Sequence, residues 1–86
     1  MKLSIYSLKK ILFQGEAELL NCKTVSGEIT VLNNHEPLIT VLTTGIIMVV
    51  PASAKGSGVA KEEYFEVTSG FLEVKEGSEV MCIVEQ

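Results

Sequence analysis

The residue of this chain that could most readily act as a general base is His35, its only histidine. For nucleophilic catalysis, the ring would need a nucleophile beside it and a carboxylate to orient it. Glu36 is its neighbour in sequence, but adjacent side chains on an extended chain point to opposite sides. The serines stand in no nucleophile-elbow pattern. The sequence therefore predicts no catalytic residue, and it indicates that His35 is a structural or contact residue in a polar turn.

The two cysteines, Cys22 and Cys82, are far apart in the sequence and form no CxxC pair. Cytosolic thiols stay reduced, so we expect two small buried hydrophobic side chains rather than a disulfide or a redox site. One histidine and two scattered cysteines cannot close a structural zinc site without glutamate ligands. The glycine-rich stretch 56–58 lacks the following lysine and helix of a phosphate loop. We therefore expect neither a metal nor a cofactor.

The charged residues are all lysine or glutamate, seven of the first and eleven of the second, and the net charge is −4. Without arginine, no planar fork can bind a phosphate through two parallel hydrogen bonds. A negative chain also repels a nucleic-acid backbone. We therefore expect no nucleic-acid partner. Glu16 with Glu18, and Glu62 with Glu63, could be paired carboxylates for acid–base work, but charged, solvent-facing strand edges explain them more simply.

Most of the chain consists of short runs in which apolar and polar residues alternate, with turn signals about every ten residues. The runs are 2–6, 11–13, 16–22, 28–31, 38–42, 46–50, 64–69, 71–75 and 80–84. This pattern predicts an all-β, antiparallel sandwich or barrel without a real helix, in which residues 1–86 form one domain. The doubled leucine Leu19-Leu20 shifts the phase by one residue, as a β-bulge does.

Two runs, Ile46–Val50 and Val80–Val84, are apolar at every position. Such a strand is covered on both faces, either by a second sheet or by another protein, and the sequence leaves both explanations open. The stretch 51–58, with proline, serine and glycine, is expected to be a mobile hairpin loop. The longest apolar stretch is too short to cross a membrane, and the start of the chain has no signal-peptide pattern. We therefore expect a protein that stays in the cytosol.

Three motifs resemble one protein family by their order and spacing along the chain. They are Phe13–Ala17, then Gly27–Leu32 followed by His35–Thr40 and Gly45–Ile47, and finally Val67–Val74. Together they resemble the ε subunit of F-type ATP synthase, which is called δ in mitochondria, over Lys2 to Val84. The resemblance implies an antiparallel β-sandwich of ten strands. It also implies a non-catalytic subunit in the central stalk of the rotor.

The resemblance further implies the partners of such a subunit. One side of the sandwich would pack on the γ subunit, and one end would rest on polar loops of the c-ring. The subunit would help couple proton or sodium translocation to ATP synthesis on the β subunits of α3β3, which it would reach only indirectly. It would lie at the cytoplasmic face of the energy-transducing membrane, bound only through the complex. Carried over by position, the interface residues are Glu28, Asn33, Asn34, His35, Glu36, Pro37 and Leu38.

The chain departs from the family pattern at three places. Upstream of Gly27, the family usually has a turn that contains Pro-Gly, where this chain has Cys22-Lys23-Thr24-Val25. The family often has Pro-Gly where this chain has Asn33-Asn34. The family also commonly continues into a C-terminal two-helix hairpin that can inhibit ATP hydrolysis, whereas this sequence stops at Gln86, so we expect no inhibition by that route. Two other functions stay open at this point: a free-standing β-sandwich that binds a small ligand or regulates another complex, and a small hydrolase that uses His35.

Overall fold

The computed structural model describes residues 1–52 and 61–86, and all regular secondary structure in these ranges is β-strand. The strands are β1 (Lys2–Ser7), β2 (Ile11–Thr24), β3 (Gly27–Leu32), β4 (Leu38–Leu42), β5 (Gly45–Pro51), β6 (Glu63–Val67), β7 (Ser69–Lys75) and β8 (Glu79–Glu85). The expected all-β class is confirmed. No helix in the described ranges could cross a membrane. Most of the expected hairpin loop, residues 53–58, lies outside the described residues.

The described residues form eight strands where ten were implied, and the long strand β2 joins two of the expected runs, 11–13 and 16–22. Gly15, between those runs, stays within the strand and pairs with Leu3 of β1. The first half of β2 pairs with β1, and the second half pairs with β3 and β5. A register shift between Ala17 and Leu19 confirms the bulge expected near the doubled leucine. This kink lies where β2 changes partners.

Backbone pairing joins the strands into two layers that β2 connects. One layer runs in the order β4-β7-β8-β1, and only its β1–β8 pair is parallel. The other runs in the order β3-β2-β5-β6 and is antiparallel throughout. Alternate side chains of both layers point inward and form one core, as expected for packed sheets. Its largest fully buried side chains are Leu3, Ile5, Leu20, Leu42, Ile47, Leu72, Val31, Val49, Val80, Val84, Cys22 and Cys82.

The two apolar strands β5 and β8 are buried on only one side. In β8, Val80, Cys82 and Val84 are buried, whereas Ile83 is 45% exposed. In β5, Ile47 is buried and its neighbour Ile46 is exposed. The second sheet therefore accounts for only half of each apolar run. The outward apolar side chains have no cover from the described part of the chain.

Gly70 and Gly15 provide a matched test of the packing between β7 and β8, since their φ angles are +157° and +156°. A Cβ on Gly70 would overlap the carbonyl oxygen of Ile83 and lie 2.9 Å from the Cα of Val84, whereas a Cβ on Gly15 would meet no atom within 4 Å. We expect Gly70→Ala to lower the free energy of unfolding by about 2 kcal/mol more than Gly15→Ala, because only the former forces strands apart. Urea unfolding of both variants measures the difference, and equal losses would contradict the packing described.

Candidate partner interface

The turn that carries His35 joins β3 to β4 and is closed by a backbone hydrogen bond. The His35 amide donates to the carbonyl oxygen of Leu32 at 3.2 Å. Asn34, at the third position of this turn, has a φ of +66°, in the left-handed region that asparagine tolerates better than most residues. A positive φ at the third position, without one at Asn33 in the second, indicates a type II rather than a type I′ turn. Asn34 therefore adopts the backbone angle that glycine supplies in a Pro-Gly turn.

The His35 ring is half-buried and bound to a main-chain group. Its Nδ1 lies 2.7 Å from the carbonyl oxygen of Glu36, to which it donates in the tautomer protonated at Nδ1. Within residues 1–52 and 61–86, the ring makes no hydrogen bond to a carboxylate or a hydroxyl group. This contact orients the ring but supplies no partner for acid–base chemistry. The arrangement suits a contact residue.

Two side chains of the same turn are held by distant parts of the chain. The Asn34 amide donates to the Ser78 hydroxyl at 3.1 Å, and that hydroxyl lies 3.2 Å from Asn34 Oδ1. The α-amino group of Met1 donates to Asn33 Oδ1, and also to the carbonyl oxygen of Ala17 at 2.8 Å. The turn is therefore tied to the β7–β8 hairpin and to the layer edge where β1 begins.

Glu28 lies at the other end of β3. It pairs in register with Lys23, and its carboxylate accepts a hydrogen bond from Asn21 Nδ2 at 3.1 Å. Five steps of extended chain separate Glu28 from Asn33, which corresponds to roughly 17 Å. The structure thus keeps Glu28 apart from the other predicted residues, 33–38, which remain together as one turn and the start of β4. The predicted interface consists of two surfaces at opposite ends of the sandwich.

The outer face of the β4-β7-β8 layer carries exposed apolar side chains that the sequence analysis did not assign to a site. Val41 pairs with Phe71, and Phe71 pairs with Ile83, so the three lie side by side. Ile39 lies two residues before Val41 on the same face and is also exposed. We call these four residues the apolar row. Contiguous exposed apolar surface marks an interaction site, whereas scattered side chains do not.

Phe71 is the most prominent member of the apolar row. Its side chain is 58% exposed although it is aromatic and stands in the middle strand of the three. A cleft of about 310 Å³ follows the row and is lined by Phe71, Val41 and Ile83, with Leu8 at its margin. In the sequence, the sign of this surface is that each strand carries an apolar residue at a position where the alternation places a polar one. Only the cross-strand register shows that these residues meet.

Both cysteines lie in the core, as expected. Burial raises the pKa of the Cys22 thiol to about 11. Burial, with a smaller effect of Cys22, raises the pKa of Cys82 as well. Both thiols are therefore protonated at neutral pH and are poor nucleophiles or metal ligands. Across the described ranges, no three His, Cys, Asp or Glu side chains lie together so as to hold a metal ion.

A two-layer sandwich with ordered turns at its ends and, among the described residues, a row of exposed apolar side chains has the features of an interaction domain. The β-sandwich domain of the ATP synthase delta/epsilon chain matches residues 1–86, and the chain belongs to this family. The family resemblance seen in the sequence is thereby confirmed. The family is one of non-catalytic stalk subunits.

Individual relatives agree with the family. The chain is 39% identical to the ATP synthase epsilon chain of Chromohalobacter salexigens over 71 residues, which cover 83% of this chain and 46% of the relative. It is 32% identical to the epsilon chain of Brevibacillus brevis over 85 residues, covering 99% of this chain and 59% of the relative. The chain thus spans about half the length of the curated relatives it matches.

Solved structures share the fold. A chain in the central stalk/c-ring structure of the Tetrahymena thermophila mitochondrial ATP synthase matches with a TM-score of 0.78 at 16% identity, covering 100% of this chain and 63% of its own. A chain in the Euglena gracilis mitochondrial ATP synthase structure, which contains OSCP, F1 and the c-ring, matches with a TM-score of 0.83 at 22% identity. That match covers 100% of this chain and 51% of its own.

The buried thiols give a pH dependence whose sign follows from the raised pKa. A cysteine in the unfolded chain has a pKa of about 8.5, whereas burial raises the pKa of Cys22 in the folded chain to about 11. The stability that depends on the neutral thiol is therefore complete below about pH 8.5 and is lost as the pH rises toward 11. We expect lower urea-unfolding stability at pH 10 than at pH 7, with a smaller difference in Cys22→Ala. A thiol reagent should label the chain quickly only in denaturant, and rapid labelling of the native chain would contradict the burial.

Proposed function

We propose that this chain is a non-catalytic rotor subunit of an F-type ATP synthase. Residues 1–86 act as one domain, which binds the γ subunit with the apolar row and meets the c-ring with the end that carries Glu28. The subunit helps couple proton or sodium translocation to ATP synthesis on the β subunits. It lies at the cytoplasmic face of the energy-transducing membrane, where it is held only through the complex.

The observation that carries the proposal is the apolar row. Stable protein interfaces have a desolvated apolar centre, often with an aromatic anchor, and a polar rim. Phe71 between Val41 and Ile83 has the features of such a centre. The three side chains stand on hydrogen-bonded strands, so the surface is rigid and can transmit force without a chemical step. This is the property that a rotor subunit needs.

The turn at His35 extends this surface. The turn leads directly into β4, whose Ile39 and Val41 belong to the apolar row. Residues 33–38 therefore form the polar rim at one end of the γ contact. Their hydrogen-bonded backbone and Pro37 give that rim a fixed shape, which lowers the entropy lost on docking.

Glu28 serves a second contact at the opposite end of the sandwich. The adjoining β2–β3 turn is ordered by Thr24, whose hydroxyl donates to the Gly27 carbonyl oxygen at 2.8 Å and accepts from the Ser26 amide at 3.1 Å. The exposed charges of Glu28 and Lys23 beside this turn suit polar loops. Both structural neighbours come from assemblies that contain a c-ring, which supports this contact. Within residues 1–52 and 61–86, His35 makes no contact that favours the hydrolase.

The γ contact can be tested with two residues of equal exposure on different layers. Phe71 is 58% exposed on β7, and Tyr64 is 60% exposed on β6. We expect Phe71→Glu to weaken γ binding at least roughly tenfold, because a carboxylate would be buried at the centre of the interface. Tyr64→Glu should change the affinity less than about twofold, within the range of a substitution outside an interface. Titration calorimetry with purified γ measures both, and equal effects would remove the apolar row as the contact.

The c-ring contact can be tested in the same way at the two ends of the sandwich. Glu28→Ala should leave the affinity for γ unchanged and weaken binding of the γ complex to c-rings in lipid vesicles by roughly two- to fivefold, the effect of one or two polar contacts. Glu76, exposed in the β7–β8 turn, provides the control as Glu76→Ala. If Glu76→Ala weakened c-ring binding and Glu28→Ala did not, the two ends would have to be exchanged.

A further inference from the structure

Two residues that are not glycine have φ angles in the left-handed region within the described chain, and these two residues touch each other. Asn34 has a φ of +66° and Ser78 a φ of +61°. The Asn34 amide donates to Ser78 Oγ at 3.1 Å, and Ser78 Oγ donates to Asn34 Oδ1 at 3.2 Å. The two positions are 44 residues apart in sequence. We call this pair of hydrogen bonds the Asn34–Ser78 clasp.

Both turns place a residue other than glycine at a left-handed φ angle, which asparagine tolerates better than serine but neither residue favours as glycine does. Left-handed φ angles at other residues than glycine persist where the surroundings hold them in place. Ser78 is held through its carbonyl oxygen, which accepts from the Lys2 amide at 2.8 Å. Asn34 is held by the Ser78 hydroxyl. The clasp therefore connects the turn that carries His35 to the hydrogen-bonded β1–β8 pair, which restrains the turn.

The type II geometry of the His35 turn indicates what the clasp replaces. In such a turn, proline pre-sets the second position and glycine adopts the positive φ at the third. This chain has Asn33 and Asn34 at those positions, so the local sequence favours the turn less strongly than Pro-Gly would. A long-range contact can supply the missing preference.

We propose that Ser78 is a positioning residue for the γ contact: its hydroxyl holds residues 33–37 in the one conformation that docks. The proposal deepens the proposed function and rests on it. A turn that visits other conformations binds with an apparent dissociation constant raised by the inverse of its competent fraction. Removing the clasp should therefore weaken γ binding through the turn, without requiring a direct contact between Ser78 and γ.

The test compares the native turn with a turn that is fixed locally. The four chains are the unsubstituted protein, Ser78→Ala, the double variant Asn33→Pro/Asn34→Gly, and the triple variant that combines all three substitutions. Each is measured for affinity to purified γ, for hydrogen exchange of the amides at 34 and 35, and for its thermal midpoint. We expect Ser78→Ala to weaken binding roughly five- to tenfold, as two lost hydrogen bonds would, and to speed exchange at both amides. In the Pro-Gly background, Ser78→Ala should change the dissociation constant for γ less than about twofold, which is roughly the error of a double-mutant cycle.

This rescue separates positioning from general stability. If Ser78 only stabilised the fold, its loss would lower the thermal midpoint and weaken binding equally in both backgrounds, which would overturn the proposal. Ser78→Gly removes the hydroxyl while easing the left-handed angle, so it should reproduce the effect of Ser78→Ala if the hydrogen bonds are responsible. Ser26→Ala, in the exposed turn at the opposite end, is the control and should leave γ binding unchanged.

The two proposals fail in distinguishable ways. If the unsubstituted chain does not bind γ, the proposed function is wrong, and exchange at residues 34 and 35 then decides whether the clasp orders the turn. The clasp is supported if exchange at these amides is faster in Ser78→Ala and Ser78→Gly and returns to the slower native rate in the Pro-Gly background. If γ binds the unsubstituted chain and the Ser78 variants equally well, or exchange is unchanged, the clasp is overturned and the γ contact remains.

Discussion

Backbone pairing along β2 holds the two layers of the sandwich together. Over its fourteen residues, this strand first pairs with β1 and then, after the bulge at Ala17–Leu19, with β3 and β5. Because the strand is continuous, the layers cannot slide past each other without breaking hydrogen bonds on both sides of the bulge. A bulge bends and twists a strand, which lets the same strand serve both layers. The position of every other strand follows from which half of β2, directly or through neighbours, it joins.

Burial on one side of each strand leaves the other side to be explained. The core takes every second residue, and the outward positions carry polar residues together with exposed apolar ones such as Leu32, Ile46 and Tyr64. In the apolar row, exposed apolar side chains from the neighbouring strands β4, β7 and β8 lie side by side. No described residue covers that face, and contiguous exposed apolar surface marks an interaction site. The packed core holds this surface rigid, as the proposed transmission of force would require.

The histidine turn shows how a contact surface can depend on a distant part of the chain. His35 is bound to a main-chain carbonyl group rather than to a catalytic partner, and the turn around it is shaped by Asn34 and Ser78. Its position at the start of β4 places it at the margin of the apolar row. Glu28 lies at the other end of β3, so the chain has separate surfaces at the two ends of the sandwich. This separation is what the proposed contacts with two components of a rotor would require.

The sequence by itself determined the local features: strands from alternation, turns from their polar residues, a bulge from the doubled leucine, and core positions for Cys22 and Cys82. These follow from interactions between near neighbours and from simple burial, which a linear pattern records. Only the tertiary structure decided that β2 is continuous, that Phe71 meets Val41 and Ile83, that Glu28 lies far from His35, and that Ser78 holds Asn34. Each of these depends on strand register or on contacts between residues distant in sequence. Such contacts are set by how the layers pack as a whole, and no local pattern specifies them.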